Sequence, residues 1–128
     1  IGPIGWVAAR RGAASVTAVD HDAIAVRAAA HNLPGADVRC VDHLPAGVWD
    51  LVLSNPPIHR GVDVDWTVVE RMAVDLPSRL APGGRAVVVT QATVPIPRLF
   101  AGQAVGVVAT DRRFTVWSIA RAGAASSG

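Results

Sequence analysis

The sequence predicts an α/β fold with a doubly wound, mostly parallel sheet that closes on an antiparallel hairpin. Short β-branched runs alternate with segments of helical apolar spacing. Three of those runs end in a polar residue, at Asp20, Asp42 and Asn55. The chain finishes on two apolar runs joined by a short polar turn, the pattern of a hairpin.

The elements follow in order. "SVTAVD" (Ser15 to Asp20) reads as a strand, and "HDAIAVRAAAHNLPG" (His21 to Gly35) as a helix. Asp22 is placed to cap that helix, alanines fill its body, and Asn32-Leu33-Pro34-Gly35 stops it. "ADVRCVD" (Ala36 to Asp42) and "WDLVLSN" (Trp49 to Asn55) are the next strands. "VDWTVVERMAVDLPSRLAPGG" (Val64 to Gly84) has helical spacing, and its Pro-Gly-Gly is expected to form the closing turn. "RAVVVTQ" (Arg85 to Gln91) is a continuous apolar run, typical of a strand covered on both faces. A short helical piece is expected around Pro97 to Ala101, and "AVGVVATDRRFTVWSIAR" (Ala104 to Arg121) is the hairpin. In such sheets ligands bind beyond the carboxyl ends of the strands, where Asp20, Asp42 and the residues from Asn55 to Pro57 would lie.

Residues 1–121 are expected to form one domain and 122–128, "AGAASSG" from Ala122, a disordered tail. With 51% hydrophobic and 17% charged residues, the composition excludes a disordered chain. No apolar run reaches the roughly 18 residues that span a bilayer, so no membrane partner is expected. The single Cys40 allows no internal disulfide, fits a reducing cytoplasm, and is expected to be a small core residue. All twelve basic residues are arginine, and the formal charge of +2 permits a nucleic-acid partner without demanding one.

The opening "IGPIGWVAARRGAASVTAVD" holds part of a glycine-rich turn. A glycine before Ile1 would complete G-x-G-x-x-G through Gly2 and Gly5, the nucleotide-binding turn of Rossmann-like folds. Pro3 fits a first helical turn, where no amide donor is needed. Asp20 falls where such folds place the acid that accepts from ribose hydroxyls. The first strand of that arrangement lies centrally in the sheet, between the strands ending at Asp20 and at Asn55. It is missing from this sequence, so the domain is expected to be N-terminally truncated or to take that strand from an upstream segment.

"LVLSNPPIHRG" (Leu51 to Gly61) ends a buried strand in two prolines. Methyl transfer to a planar exocyclic amine needs two acceptors, which hold its N–H groups and offset the charge that develops on nitrogen. The Asn55 side-chain oxygen and the Pro56 carbonyl can supply them. Pro56 and Pro57 remove competing donors and fix the backbone.

"DLVLSNPPIHRG" resembles the fourth motif of class I S-adenosylmethionine-dependent methyltransferases. It is similar in particular to the Asn-Pro-Pro-Phe-His-x-Gly signature of the small-domain enzymes that methylate guanine N2 in ribosomal RNA. "LAPGGRAVVVTQATVPIPRLF" (Leu80 to Phe100) and "DRRFTVWSIAR" (Asp111 to Arg121) resemble later segments of the same family, so that the likeness covers nearly the whole chain. The resemblance implies S-adenosyl-L-methionine as cofactor, with Gly2 and Gly5 at its turn, Asp20 on the ribose and Asp42 beside the adenine amine. It implies that Asn55, Pro56 and Pro57 hold the target amine, that Ile58 and His59 face the substrate, and that ribosomal RNA or a ribosomal subunit is the partner in the cytoplasm. Ile58 stands where the family has an aromatic plate for a flipped base, and Ile96 where it has a tyrosine. The amine therefore stays open among guanine N2, adenine N6, a protein glutamine amide and a small molecule. A non-catalytic remnant that binds a nucleoside or a partner is the reading from a different class.

His59 invites a general-base role, but an amine that has been methylated loses its proton readily, so an orienting role is expected. His21, His31 and His43 lack metal-ligand spacing and read as surface or loop residues. Trp6, Trp49, Trp66 and Trp117 fall on apolar patterns and read as core or near it. Arg60, Arg112 and Arg113 could touch phosphates, although arginines on a solvated face are commoner.

Overall fold

The computed structural model describes residues 10–20, 22–41, 43–55, 59–60, 63–64 and 66–122. It divides into two units, Ile1–Pro45 and Ala46–Gly128.

The first unit is a strand-helix-strand turn: β1 (Thr17–Asp20), α1 (Ala23–Asn32) and β2 (Asp37–Cys40). β1 and β2 pair in parallel, with Thr17 opposite Asp37 and Asp20 opposite Cys40. As the sequence implies, Asp22 caps α1, its side chain accepting the Ile24 amide at 2.8 Å. At the other end the Leu33 amide donates to Ala29 O at 2.8 Å, and Gly35 supplies the positive φ of 89° that turns the chain back. Ala18, Ala29 and Leu33 form the core here, with Ala36 and Val38 against them. Cys40, expected in the core, is exposed: it is the last residue of β2, a strand in which no residue is fully buried.

The second unit is built on a four-stranded sheet in the order β3-β6-β8-β7. Its strands are β3 (Trp49–Ser54), β6 (Leu80–Gln91), β7 (Ala104–Thr110) and β8 (Phe114–Ala120). β3 and β6 are parallel, and β8 is antiparallel to both β6 and β7, so three strands run one way and one returns. Two-residue strands β4 (His59–Arg60) and β5 (Asp63–Val64) form a small antiparallel ladder of their own. Among the described strands β1 pairs with β2 alone and β3 with β6 alone.

α2 (Thr67–Arg79) buries Val69, Met72 and Leu76, one stripe at helical spacing. α3 (Ile96–Leu99) buries Ile96, and Phe100 after it is 1% exposed. The Gln103 side chain ties the segment beyond α3 to α2, donating to Ala73 O at 3.2 Å. In β6, buried Ala86, Val88 and Thr90 alternate with half-buried neighbours, so the strand is covered fully on one face and partly on the other.

The Pro-Gly-Gly expected to close the preceding helix lies instead inside β6, as an irregularity in its pairing with β3. Trp49 is opposite Leu80, yet Leu51 is opposite Arg85. Gly83 takes a φ of 78°, and a Cβ on Gly84 would stand 2.9 Å from Ala81 O and 3.0 Å from Trp49 O. The helix ends at Arg79 and the strand absorbs the extra residues as a bulge.

Candidate active site

Two strand ends carry the polar residues singled out in the sequence. At the carboxyl end of β1, Asp20 is half-buried, and its Oδ1 accepts the Asp22 amide at 2.9 Å. Asp22 in turn accepts Ile24 N, so the two aspartates link β1 to the first turn of α1. The Asp20 carboxylate is an acceptor at the strand end, the chemistry that the hydroxyls of a nucleoside cofactor's ribose would meet. Gly2, Gly5, Trp6, His21 and Asp42 lie outside the described residues.

In the second unit, Asn55 follows β3 directly and is exposed. No hydrogen bond to another described residue occupies its side chain. Pro56, Pro57 and Ile58 lie outside the described residues, and the chain next appears in the ladder where His59 is opposite Val64 and Arg60 opposite Asp63. This two-residue ladder lies just beyond the prolines in the sequence. It was not legible in the sequence, because two-residue strands have no periodicity to read.

Next to β3 in the sheet, the carboxyl end of β6 is held by a set of side-chain bonds. Trp117 Nε1 donates to Thr90 Oγ1 at 2.9 Å, and Thr90 Oγ1 donates to Gln91 O at 3.0 Å. Thr90 is 2% and Thr115 5% exposed. Thr115 Oγ1 meets Thr110 Oγ1 at 2.9 Å, so the polar atoms buried under this end are bonded to one another. Beyond Gln91, the Ala92 amide donates to Arg113 O at 2.8 Å and ties the strand end to the tip of the β7–β8 hairpin.

The tip is an Asx-type turn. Asp111 Oδ1 accepts Arg113 N at 2.7 Å and Phe114 N at 2.8 Å, while Asp111 N donates to Phe114 O at 2.9 Å. The amides of Phe114 and then Arg113 hold the Asp111 carboxyl below the usual carboxylate range. An open hollow of about 400 Å³ lies here, lined by Gln91, Ala92, Thr93, Arg112, Arg113 and Phe114. Sequence reasoning grouped Arg112 and Arg113 with Arg60 as residues that could touch phosphates and missed the hollow. The available signal was "TDRRF", an Asp-led turn that forces the residues after it to the end of the sheet.

Among the described residues no group of three or more His, Cys, Asp or Glu could hold a metal ion. No described helix is long and apolar enough to cross a membrane. His31 is exposed and His43 half-buried; Trp117 is buried, and Trp49 and Trp66 are half-buried.

Comparison with known proteins gives this arrangement a family. Residues 1–118 match the methyltransferase small domain. The chain is 38% identical over 121 residues to the ribosomal RNA small subunit methyltransferase C of Chromohalobacter salexigens, covering 88% of this chain and 35% of that protein. It thus spans about a third of the length of that curated relative. Among solved structures, a ribosomal protein L11 methylase from Lactobacillus delbrueckii subsp. bulgaricus superposes with a TM-score of 0.79 at 20% identity, over 94% of this chain and 65% of that one. A T. thermophilus 16S rRNA N2 methyltransferase in complex with AdoMet and guanosine superposes with a TM-score of 0.70 at 20% identity, over 87% of this chain and 32% of the other. At such identities the superpositions establish the Rossmann-like α/β fold, with its closing antiparallel hairpin, and nothing finer. The family match extends over almost every residue described above, from the Asp20 turn to the hairpin strand β8, and the chain belongs to the methyltransferase small domain family.

Proposed function

We propose that this chain is the catalytic domain of an S-adenosylmethionine-dependent N-methyltransferase whose acceptor is the exocyclic N2 amine of guanine in ribosomal RNA. The observation that carries the reading is Asn55, an exposed amide directly beyond the carboxyl end of β3, followed by two prolines. A strand that stops in Asn-Pro-Pro at the carboxyl edge of a methyltransferase sheet has one evident chemical use, which is to hold an amine.

When bound, the cofactor supplies an electrophilic methyl group on sulfur. The residues of the chain do the rest. Asp20 accepts from the ribose hydroxyls, with Gly2 and Gly5 at the phosphate-free turn and Asp42 at the adenine amine. The Asn55 side-chain oxygen and the Pro56 carbonyl accept the two N–H groups of the acceptor amine, which aims its lone pair and offsets the positive charge growing on nitrogen. Pro57 keeps the loop stiff, and Ile58 and His59 border the acceptor base. The product ammonium sheds its proton to solvent, so no strong base is required. The ribosomal substrate sets the reaction in the cytoplasm. The name of the C. salexigens relative supports this choice of substrate.

The test is transfer of a labelled methyl group to ribosomal RNA, followed by digestion to nucleosides, with cofactor binding measured by titration calorimetry. Label in N2-methylguanosine is the expected result; label in another nucleoside or in protein replaces the acceptor, and no cofactor binding overturns the reading. Asn55→Ala should abolish transfer and leave cofactor affinity within about twofold. Because Asn55 is exposed, its loss should shift stability by no more than about 0.5 kcal/mol, so lost activity will not reflect unfolding.

A further inference from the structure

The tip of the β7–β8 hairpin carries more positive charge than its turn requires. The turn is made by Asp111, whose Oδ1 is committed to two backbone amides. Arg112 and Arg113 contribute only backbone to it. Both are exposed, and neither guanidinium has an ion pair or hydrogen bond with another described residue. Beside them Phe114 is 45% exposed, although it begins a strand whose Thr115, Trp117 and Ile119 are buried on the other face. Two arginines and an uncovered aromatic ring thus border one hollow, which Gln91 also lines.

Strand registers place this hollow next to Asn55. Ser54 is level with Val88 of β6, and Phe114 is level with Gln91 of the same strand. At about 3.3 Å per residue and 4.8 Å between strands, Asn55 and Phe114 lie roughly 12 Å apart on the same edge of the sheet. A short stretch of single-stranded nucleic acid spans that gap.

We infer that this hollow is an RNA subsite for the nucleotides flanking the target: Arg112 and Arg113 bind phosphates, and Phe114 stacks a neighbouring base. The inference rests on the reading of Asn55 as holder of an RNA amine. It also answers the absence of an aromatic at Ile58, since a ring outside the target position can still grip the strand while an aliphatic side chain borders the flipped base. Arginine on phosphate supplies affinity, and an aromatic face accepts any base. An acidic protein partner would use the arginines equally well but has no use for the ring.

The experiment measures binding of a fluorescently labelled single-stranded RNA oligonucleotide by anisotropy over a range of salt, using the purified protein. Arg112→Gln/Arg113→Gln should raise Kd about tenfold or more and reduce the slope of log Kd against log salt by about 1.4, two phosphates at ~0.7 each. Phe114→Leu should raise Kd about fivefold or more with little change in slope, and Phe114→Trp should restore affinity. The charge-matched Arg27→Gln/Arg85→Gln pair, with Arg85 in the middle of β6 and away from Gln91, should have a much smaller effect. Wild-type affinity and slope in the Arg112/Arg113 variant overturn the subsite, as does an equal loss in the control pair. Loss with the arginines but not with Phe114→Leu overturns the stacking role of Phe114 and with it the subsite as described. If Asn55→Ala still transfers methyl groups while the hairpin variants lose RNA, the amine-holding reading fails and the subsite stands.

Discussion

Trp117 Nε1 and Thr90 Oγ1 lie 2.9 Å apart across two neighbouring antiparallel strands, both residues buried. The bond closes a chain of polar contacts, since Thr90 passes its own hydroxyl proton to Gln91 O. The carboxyl end of β6 is thereby tied to β8 from inside the sheet.

Breaking that bond from one side only should be costly. Thr90→Val strands the indole N–H in an apolar setting and should lower unfolding stability by about 1–3 kcal/mol. Trp117→Phe should cost as much or more, since it also removes packed volume. In a double-mutant cycle by denaturant unfolding, the pair should cost less than the sum of the singles. Strict additivity would show that the bond contributes nothing.

Gly84 should tolerate no side chain. A Cβ there would meet three backbone carbonyl oxygens at 2.9 to 3.1 Å, and none of them can rotate away. Gly84→Ala should destabilise by about 1–3 kcal/mol, the usual range for forced overpacking. Gly106→Ala, where nothing lies within 4 Å, should be nearly neutral. Thermal melts of the two variants make the comparison.

Asp20→Asn should separate cofactor binding from folding. The amide oxygen can still accept the Asp22 N–H that Asp20 now holds at 2.9 Å, so the melting temperature should stay near wild type. The lost charge should raise the Kd for S-adenosylmethionine by roughly tenfold to a hundredfold, the scale of a hydrogen bond to a charged group. Unchanged affinity by calorimetry would remove Asp20 from the cofactor site.

The hairpin tip should be stable to acid until well below neutrality. The Asp111 carboxyl titrates below its ordinary value of 3.8, because the ionised form accepts two amides. A depressed folded-state value means that its contribution is present above the unfolded value and is lost as pH falls through the folded one. Amide exchange at Arg113 and Phe114 should therefore be independent of Asp111 ionisation from pH 7 down to about 4, and accelerate specifically below that. Asp111→Ala should show the accelerated exchange at every pH.

The parts of this fold most legible in the sequence were those with local physical signatures. Asp22 announces the start of α1, and the apolar run around Val88 announces a central strand. Asn55-Pro56-Pro57 marks a strand end because no other position tolerates it. Two expectations failed for the opposite reason. Cys40 was assigned to the core by residue type, but type does not reveal that β2 presents its final residue to solvent. Pro82-Gly83-Gly84 has the composition of a turn, and only its pairing partner, β3, makes it a bulge within β6. The Arg112–Phe114 hollow depends on a register across three strands, which no local window contains.

The outermost strand, β7, has a register break between Val107 and Ala109, with Val107 and Val108 both more than half exposed. Its sequence, "AVGVVAT", offers no charge and no proline to deter another chain from adding to it. The extra residue bends the strand and spoils its straight row of amides and carbonyls. An irregular rim is a poorer template for a further strand than a straight one. Deleting Val108 should restore a continuous row of backbone groups along β7 and raise the tendency of the protein to associate edge to edge.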